Sequence, residues 1–139
     1  MLRIVFDTNV LVSVIIKHGK PRELWDQVIE GMVKLLISEE LLAEFNDVIF
    51  RPKFRRYVTK HRITKFQRAL IQSAEVLRTK IHFQQITKDP NDNMVLELAH
   101  SSRADYIVSG DKHLLTLGEF KGIRIVTVDE MMQIIKEKR

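Results

Sequence analysis

The chain has 139 residues, of which 45% are apolar and 29% charged, with no cysteine and a net charge of +5. This balance predicts one globular domain over residues 1–139, and it excludes a disulfide framework, a thiolate metal site and a cysteine nucleophile. The longest apolar run, Val10 to Ile16 interrupted only by Ser13, is too short to span a bilayer, and Asp7 does not fit a signal peptide, so a cytoplasmic, membrane-free protein is expected.

In chain order, Leu2 to Phe6 reads as a buried strand, Val10 to Lys17 as a helix ending near Gly19, and Pro21 to Gly31 as a helix with proline at its start. Val33 to Ile37 reads as a second strand, followed by a helix from an N-cap at Ser38 to about Phe50. Arg51-Pro52 breaks that helix. The next segment predicts one or two helices, the clearer from about Thr64 to Arg78, and then a weak strand near Ile81 to Ile86. The sequence "DPND" opens a helix that runs to about Ser102. A strand at Tyr106 to Ser109, a short helix after Gly110, a strand at Arg124 to Val128 and a helix from Glu130 complete the pattern. Strands separated by helices imply an α/β fold with a mainly parallel central sheet of about five strands, flanked by helices on both faces.

In such a sheet the ligand crevice lies outside the carboxyl ends of the strands, so the polar residues at those positions are informative. Asp7 follows the first strand, Glu44 lies in the helix after the second, Asp92 in the first turn of the "DPND" helix, and Asp111 after "YIVSG". A carboxylate between apolar runs, as Asp7 is in "RIVFDTNVLVSVI", needs hydrogen-bond partners or a cation. Among the acids of its helix, Glu44 sits beside the apolar stripe of Leu41, Leu42, Phe45, Val48 and Ile49. Glu40 and Asp47 fall roughly 140–160° from the centre of that stripe. Asp89 fits an N-cap and Asp92 the third helical position, where it also suits a capping box, so whether Asp89 joins a site stays open. Asp105 precedes Asp111 by a strand's length, about 20 Å, and belongs to the opposite edge. Asp129 is expected to be the N-cap of the last helix, with a part in the site left open.

Converging carboxylates repel and raise one another's pKa values, a cost that a divalent cation removes. Oxygen donors without cysteine favour Mg²⁺ or Mn²⁺ over a structural zinc. The histidines at 18, 61, 82, 100 and 113 show no spacing for an imidazole site.

Charge is uneven along the chain. Between Arg51 and His82 ten Lys or Arg face one acid, Glu75, which makes that segment +9 and the remainder −4. Arg51, Lys53, Arg55, Arg56, Lys60 and Arg62, interleaved with Phe54, Tyr57 and Phe66, suit a phosphate-rich strand whose bases stack on aromatic rings. A solvated helix face with a few core aromatics is the competing explanation.

Four segments in order, "VFDTNVLVS", "LLISEELLAEFNDVIFRPKF", "TKDPNDNMVLELA" and "ADYIVSGDKHLL", resemble the PIN domain, particularly the bacterial and archaeal group regarded as toxins of toxin–antitoxin systems. The resemblance covers nearly the whole chain. It implies a metal-dependent endoribonuclease that leaves a 5′-phosphate, with Asp7, Glu44, Asp92 and Asp111 at the acidic positions and Thr8, Asn9 and Ser109 at supporting polar ones. Asp7 and Asp92 would hold the main ion, while Asp111 and Glu44 complete the site or hold a second. Implied partners are single-stranded or structured RNA, an antitoxin protein and a second copy of the chain. Leu24, Trp25 and Val28 belong either to that dimer interface or to the core. Members of the family also serve in RNA processing and decay without an antitoxin.

Rival assignments meet specific obstacles. A phosphatase of the haloacid-dehalogenase type needs an acid where Asn9 stands. A response-regulator receiver needs a lysine where Asp129 stands. A dinucleotide-binding fold needs glycines that Asp7 to Val10 lack. A catalytically idle RNA-binding or partner-binding module remains the alternative from another class.

Overall fold

The computed structural model describes residues 1–78 and 89–138. Strand β1 (Leu2–Phe6) leads into helix α1 (Thr8–Ile16), α2 (Lys20–Ile29), strand β2 (Val33–Ser38) and α3 (Glu39–Ile49). A 3₁₀ turn (Pro52–Phe54) precedes α4 (Lys60–Ser73) and β3 (Glu75–Leu77). The chain continues through α5 (Pro90–Ser101), β4 (Tyr106–Val108), α6 (Lys112–Leu117), β5 (Glu119–Phe120), β6 (Ile123–Val126) and α7 (Val128–Glu137).

The strands form one six-stranded sheet in the order β3-β2-β1-β4-β6-β5, parallel except for the β5–β6 hairpin. Register aligns Ile4 with both Leu35 and Tyr106, which places β1 between β2 and β4. Ile4, Val5 and Phe6 are buried in succession, so both faces of β1 are covered, as a central parallel strand requires. From β1 the chain winds outward through β2 on one side and through β4 on the other. The carboxyl ends of β1 and β4 therefore flank the point where the winding reverses, and the loops there splay apart into a crevice.

The helices start where the sequence supplies caps. Ser38 Oγ accepts from the Leu41 amide, and Thr59 Oγ1 from that of Arg62. The apolar stripe of α3 places Leu41, Phe45, Val48 and Ile49 in the core. Phe66 packs against Trp25 and Phe45 with ring centroids 4.9 and 5.7 Å away. Phe66 is thus a core residue and not a stacking platform. Leu24, Trp25 and Val28 are likewise buried within the chain.

Three expectations are corrected. Helix α4 stops at Ser73, five residues before Arg78, because Ala74 turns extended and Glu75–Leu77 pair with the exposed backbone edge of β2 at Leu36–Ser38. A neighbouring strand's unpaired amides outweigh local helical preference. The N-cap of α7 is Thr127, not Asp129: Thr127 Oγ1 accepts from Glu130 N at 3.1 Å while Glu130 Oε1 accepts from Thr127 N at 3.0 Å. This reciprocal pair satisfies two amides and outcompetes a single acid. The sheet also gains the two-residue strand β5, too short for any periodicity, whose turn to β6 holds Lys121 and Gly122 at φ of 50° and 85°. The weak strand expected near Ile81 to Ile86 lies outside the described residues. Among the described residues no helix is long and apolar enough to cross a membrane.

Candidate metal centre

The first acid is fixed by two elements at once. Asp7 leaves β1 with its amide bonded to the Val108 carbonyl of β4, and its Oδ1 caps α1 by accepting from Val10 N at 2.9 Å. Its Oδ2 accepts a short hydrogen bond from the Ser109 hydroxyl, whose oxygen in turn accepts from Asp111 N at 2.9 Å. Ser109 thus ties the end of β1 to the start of the next helix. Asp111 itself caps α6 through His113 N at 3.0 Å, and Asp89 caps α5 through Asn91 N at 2.9 Å. Three helix N-termini, those of α1, α5 and α6, are each capped by an acid at this edge. Their partial positive charge offsets some of the repulsion among the carboxylates.

Asp92 sits in the third position of α5 and is 5% exposed. Carboxylate oxygens of Asp89, Asp92 and Asp111 lie within 4.8 Å of one another. The Asp92 pKa is raised to about 7, chiefly by burial and further by hydrogen bonding with Asp111 and by the charges of Asp111, Asp89 and Asp7. Burial also raises the pKa of Asp7, partly opposed by hydrogen bonds from Ser109, Val10 and Gly110. Among the described residues, Asp92 Oδ2 and Thr8 Oγ1 are buried with no hydrogen-bond partner. A buried carboxylate with an unsatisfied oxygen and two further acids close by is costly in a protein alone and is the kind of donor that a hard cation needs.

The acids line a cleft of about 160 Å³ with Thr8, Asn9 and Glu44, while Arg51, Lys53 and Phe54 also border it. Glu44 is half-buried and accepts from Asn91 Nδ2 at 3.3 Å. Two other acids of α3 are held by cations: Glu39 pairs with Arg78 and Asp47 with Arg51, both at 3.3 Å. The sequence-derived set of Asp7, Glu44, Asp92 and Asp111 therefore meets in one cleft, with Asn9 exposed at its edge and Ser109 beneath it.

Asp89 is the addition. The i, i+3 spacing of "DPND" brings its oxygen beside Asp92 at the helix start, a signal the sequence carried beside the capping role. The basic segment divides. Arg51 and Lys53 reach the cleft, whereas Arg62 donates to the Ile15 carbonyl at 3.2 Å in a separate groove beside Trp25 and Phe66. Arg55, Arg56 and Lys60 are exposed and do not line the cleft. Asp105 accepts from Arg3 N at the opposite end of the sheet.

Comparisons with known proteins bear on the same segments. An uncharacterized protein of Methanocaldococcus jannaschii is 30% identical over 118 residues, covering 84% of this chain and 75% of that protein. Two crystal structures share the fold at 14% identity. One is VapBC2 from Rickettsia felis bound to a DNA fragment from their promoter, with a TM-score of 0.65 over 91% of this chain and 98% of that one. The other is PAE2754 from Pyrobaculum aerophilum, with a TM-score of 0.67 over 98% of this chain and 90% of that one. A family profile described as the PIN domain matches residues 3–113, a span that runs from the strand leading into Asp7 past the helix cap at Asp111, and the chain belongs to that family.

Proposed function

We propose that the protein is a metal-dependent endoribonuclease that hydrolyses RNA phosphodiester bonds and acts as the toxin of a toxin–antitoxin pair. The observation that carries this reading is the convergence of carboxylate oxygens from Asp89, Asp92 and Asp111 within 4.8 Å of one another, on a buried Asp92 whose Oδ2 has no hydrogen-bond partner among the described residues. These donors fit Mg²⁺ or Mn²⁺, with Asp7 and Asp92 as the main ligands and Asp111, Glu44 and Asp89 completing the set. The ion, when bound, supplies Lewis acidity toward water and the phosphate.

The chain's own residues prepare the rest. Ser109 holds Asp7 by donating to its Oδ2, which leaves further lone pairs on that carboxylate for a cation. Asn91 holds Glu44 toward the cleft. Arg51 and Lys53 border the cleft and offer positive charge to a phosphate backbone, and half-buried Phe54 offers a ring. An antitoxin would be the inhibitory partner, as the resemblance to the toxin group implies.

The test is release of fragments from end-labelled RNA in Mn²⁺, its loss in EDTA, and its loss in Asp92→Asn with the metal present. Equal cleavage by wild type and Asp92→Asn overturns the assignment.

A further inference from the structure

Beside the acidic cleft lies a second recess of about 270 Å³, which shares Asn9 with the cleft and has Ser109 and Gly110 in its wall. Val10, Pro21 and Val128 give it apolar surface, and Ser13 and Thr127 bring hydroxyls. Lys20 and Asp129 line it and also the larger groove of about 500 Å³ that continues between α2 and α7. The two recesses and the groove therefore form one path that starts at the acids.

Two charged side chains of this path are not tied up by a helix cap or a close ion pair. Because Thr127 and Glu130 cap α7, the exposed Asp129 carboxylate is not the cap of that helix. Lys20 meets Glu23 only at 3.8 Å, an exposed pair of little energetic weight that leaves its ammonium available.

We infer that the recess receives the nucleobase adjoining the phosphate bound at the acids, with Lys20 on the next phosphate and Asp129 selecting a base that carries an exocyclic amine. This deepens the nuclease reading and rests on it. The apolar walls suit the faces of a base, which gain contact energy irrespective of identity. A carboxylate accepts from the amino group of cytosine, adenine or guanine, whereas uracil presents its one edge donor between two carbonyl oxygens that repel the carboxylate. The choice of a base over a protein segment follows from continuity with the cleft and from the cation at the outer end of the recess.

The test uses the intact protein and RNA hexamers that carry cytosine, uracil or an abasic residue at each position in turn. Cleavage is followed in Mn²⁺ and binding by fluorescence anisotropy in Ca²⁺. Wild type is expected to prefer cytosine over uracil at one position next to the cut, and to lose about tenfold in kcat/KM when that base is removed. Ser13→Leu, which fills the recess from α1, is expected to lose about as much on the cytosine hexamer and no longer to distinguish it from the abasic one. Asp129→Ala should lose the cytosine preference while still distinguishing base from no base. Lys20→Gln should weaken binding of hexamers but not of trimers centred on the cut. If no position discriminates in wild type, or if Ser13→Leu and Asp129→Ala both discriminate as wild type does, the recess lies off the path and the inference is overturned. The nuclease reading survives that result provided Asp92→Asn is inactive. If wild type neither binds nor cleaves any hexamer, both readings fall.

Discussion

The two ends of the central sheet treat charge in opposite ways. At the amino edge, Arg3 of β1 donates its amide to Asp105, and its guanidinium meets Glu75 at 2.8 Å and the Ser102 carbonyl at 2.9 Å. Every charge named there has an opposite charge or a backbone partner. At the carboxyl edge, acids face acids, one carboxylate oxygen is buried without a partner among the described residues, and the bordering cations Arg51 and Lys53 pair with none of Asp7, Asp92 or Asp111. The first arrangement holds strands together. The second costs stability in the protein alone, a cost that helix N-termini offset in part and that the proposed cation would remove.

The comparison breaks most visibly in activity. Asp92→Asn should reduce Mn²⁺-dependent RNA cleavage by at least about 100-fold, the scale on which perturbed metal sites fail. Asp105→Asn, which keeps an acceptor for Arg3 N, should change it by less than about twofold. Initial rates on one labelled RNA compare the two edges directly, and equal losses would mean that the acids at both edges are structural.

Stability gives the next largest contrast. Saturating metal should stabilise wild type by about 2.7 kcal/mol at a hundredfold excess over its Kd, seen as a higher melting temperature than in EDTA. Asp92→Asn is expected to melt at or above wild type in EDTA and to gain less from Mn²⁺, since it removes a repelling charge and a ligand together. Arg3→Gln should instead cost about 1–3 kcal/mol with or without metal, because it leaves partly buried acceptors behind. Asp7→Asn is a less clean probe than Asp92→Asn, as Asp7 also caps α1.

The pH dependence sharpens the same point. With the Asp92 pKa raised to about 7, the metal-free folded state holds a proton that the unfolded chain has released. Stability from this group is therefore full below the ordinary carboxylate pKa and is lost as pH rises through about 7, with a slope of at most about 1.4 kcal/mol per pH unit. Urea unfolding in EDTA from pH 5 to 8 should show that decline in wild type and a shallower one in Asp92→Asn. Saturating metal should flatten or reverse it, since cation binding displaces the proton.

The smallest expected effect separates the basic residues. Arg51→Gln and Lys53→Gln should each flatten the logarithmic salt dependence of single-strand RNA binding by up to about 0.7. Arg62→Gln should leave that slope unchanged and lower stability by about 1 kcal/mol, because its guanidinium serves the Ile15 carbonyl. A flattened slope for Arg62→Gln would extend the RNA path into the groove beside Trp25.

What the sequence determined by itself rests on local rules. The alternation of apolar runs and amphipathic segments specified parallel strands with intervening helices. Ser38 and Asp89 announced their helices as caps, because capping depends on residues within three positions of each other. Asp7, Glu44, Asp92 and Asp111 were legible because a parallel sheet delivers its strand ends to one edge whatever the details of packing. The tertiary structure alone decided the rest, because each outcome depends on partners distant in sequence. The residues after Ser73 became a strand because β2 had an edge to offer, and Phe66 entered the core because Trp25 and Phe45 were there to meet it. Arg62 left the basic cluster for the end of α1, 47 residues away. Asp89 joined the acids through the position of Asp111, which no spacing within "DPND" specifies. Local preference sets which conformations are cheap for a segment, and only contacts across the fold determine which of them survives.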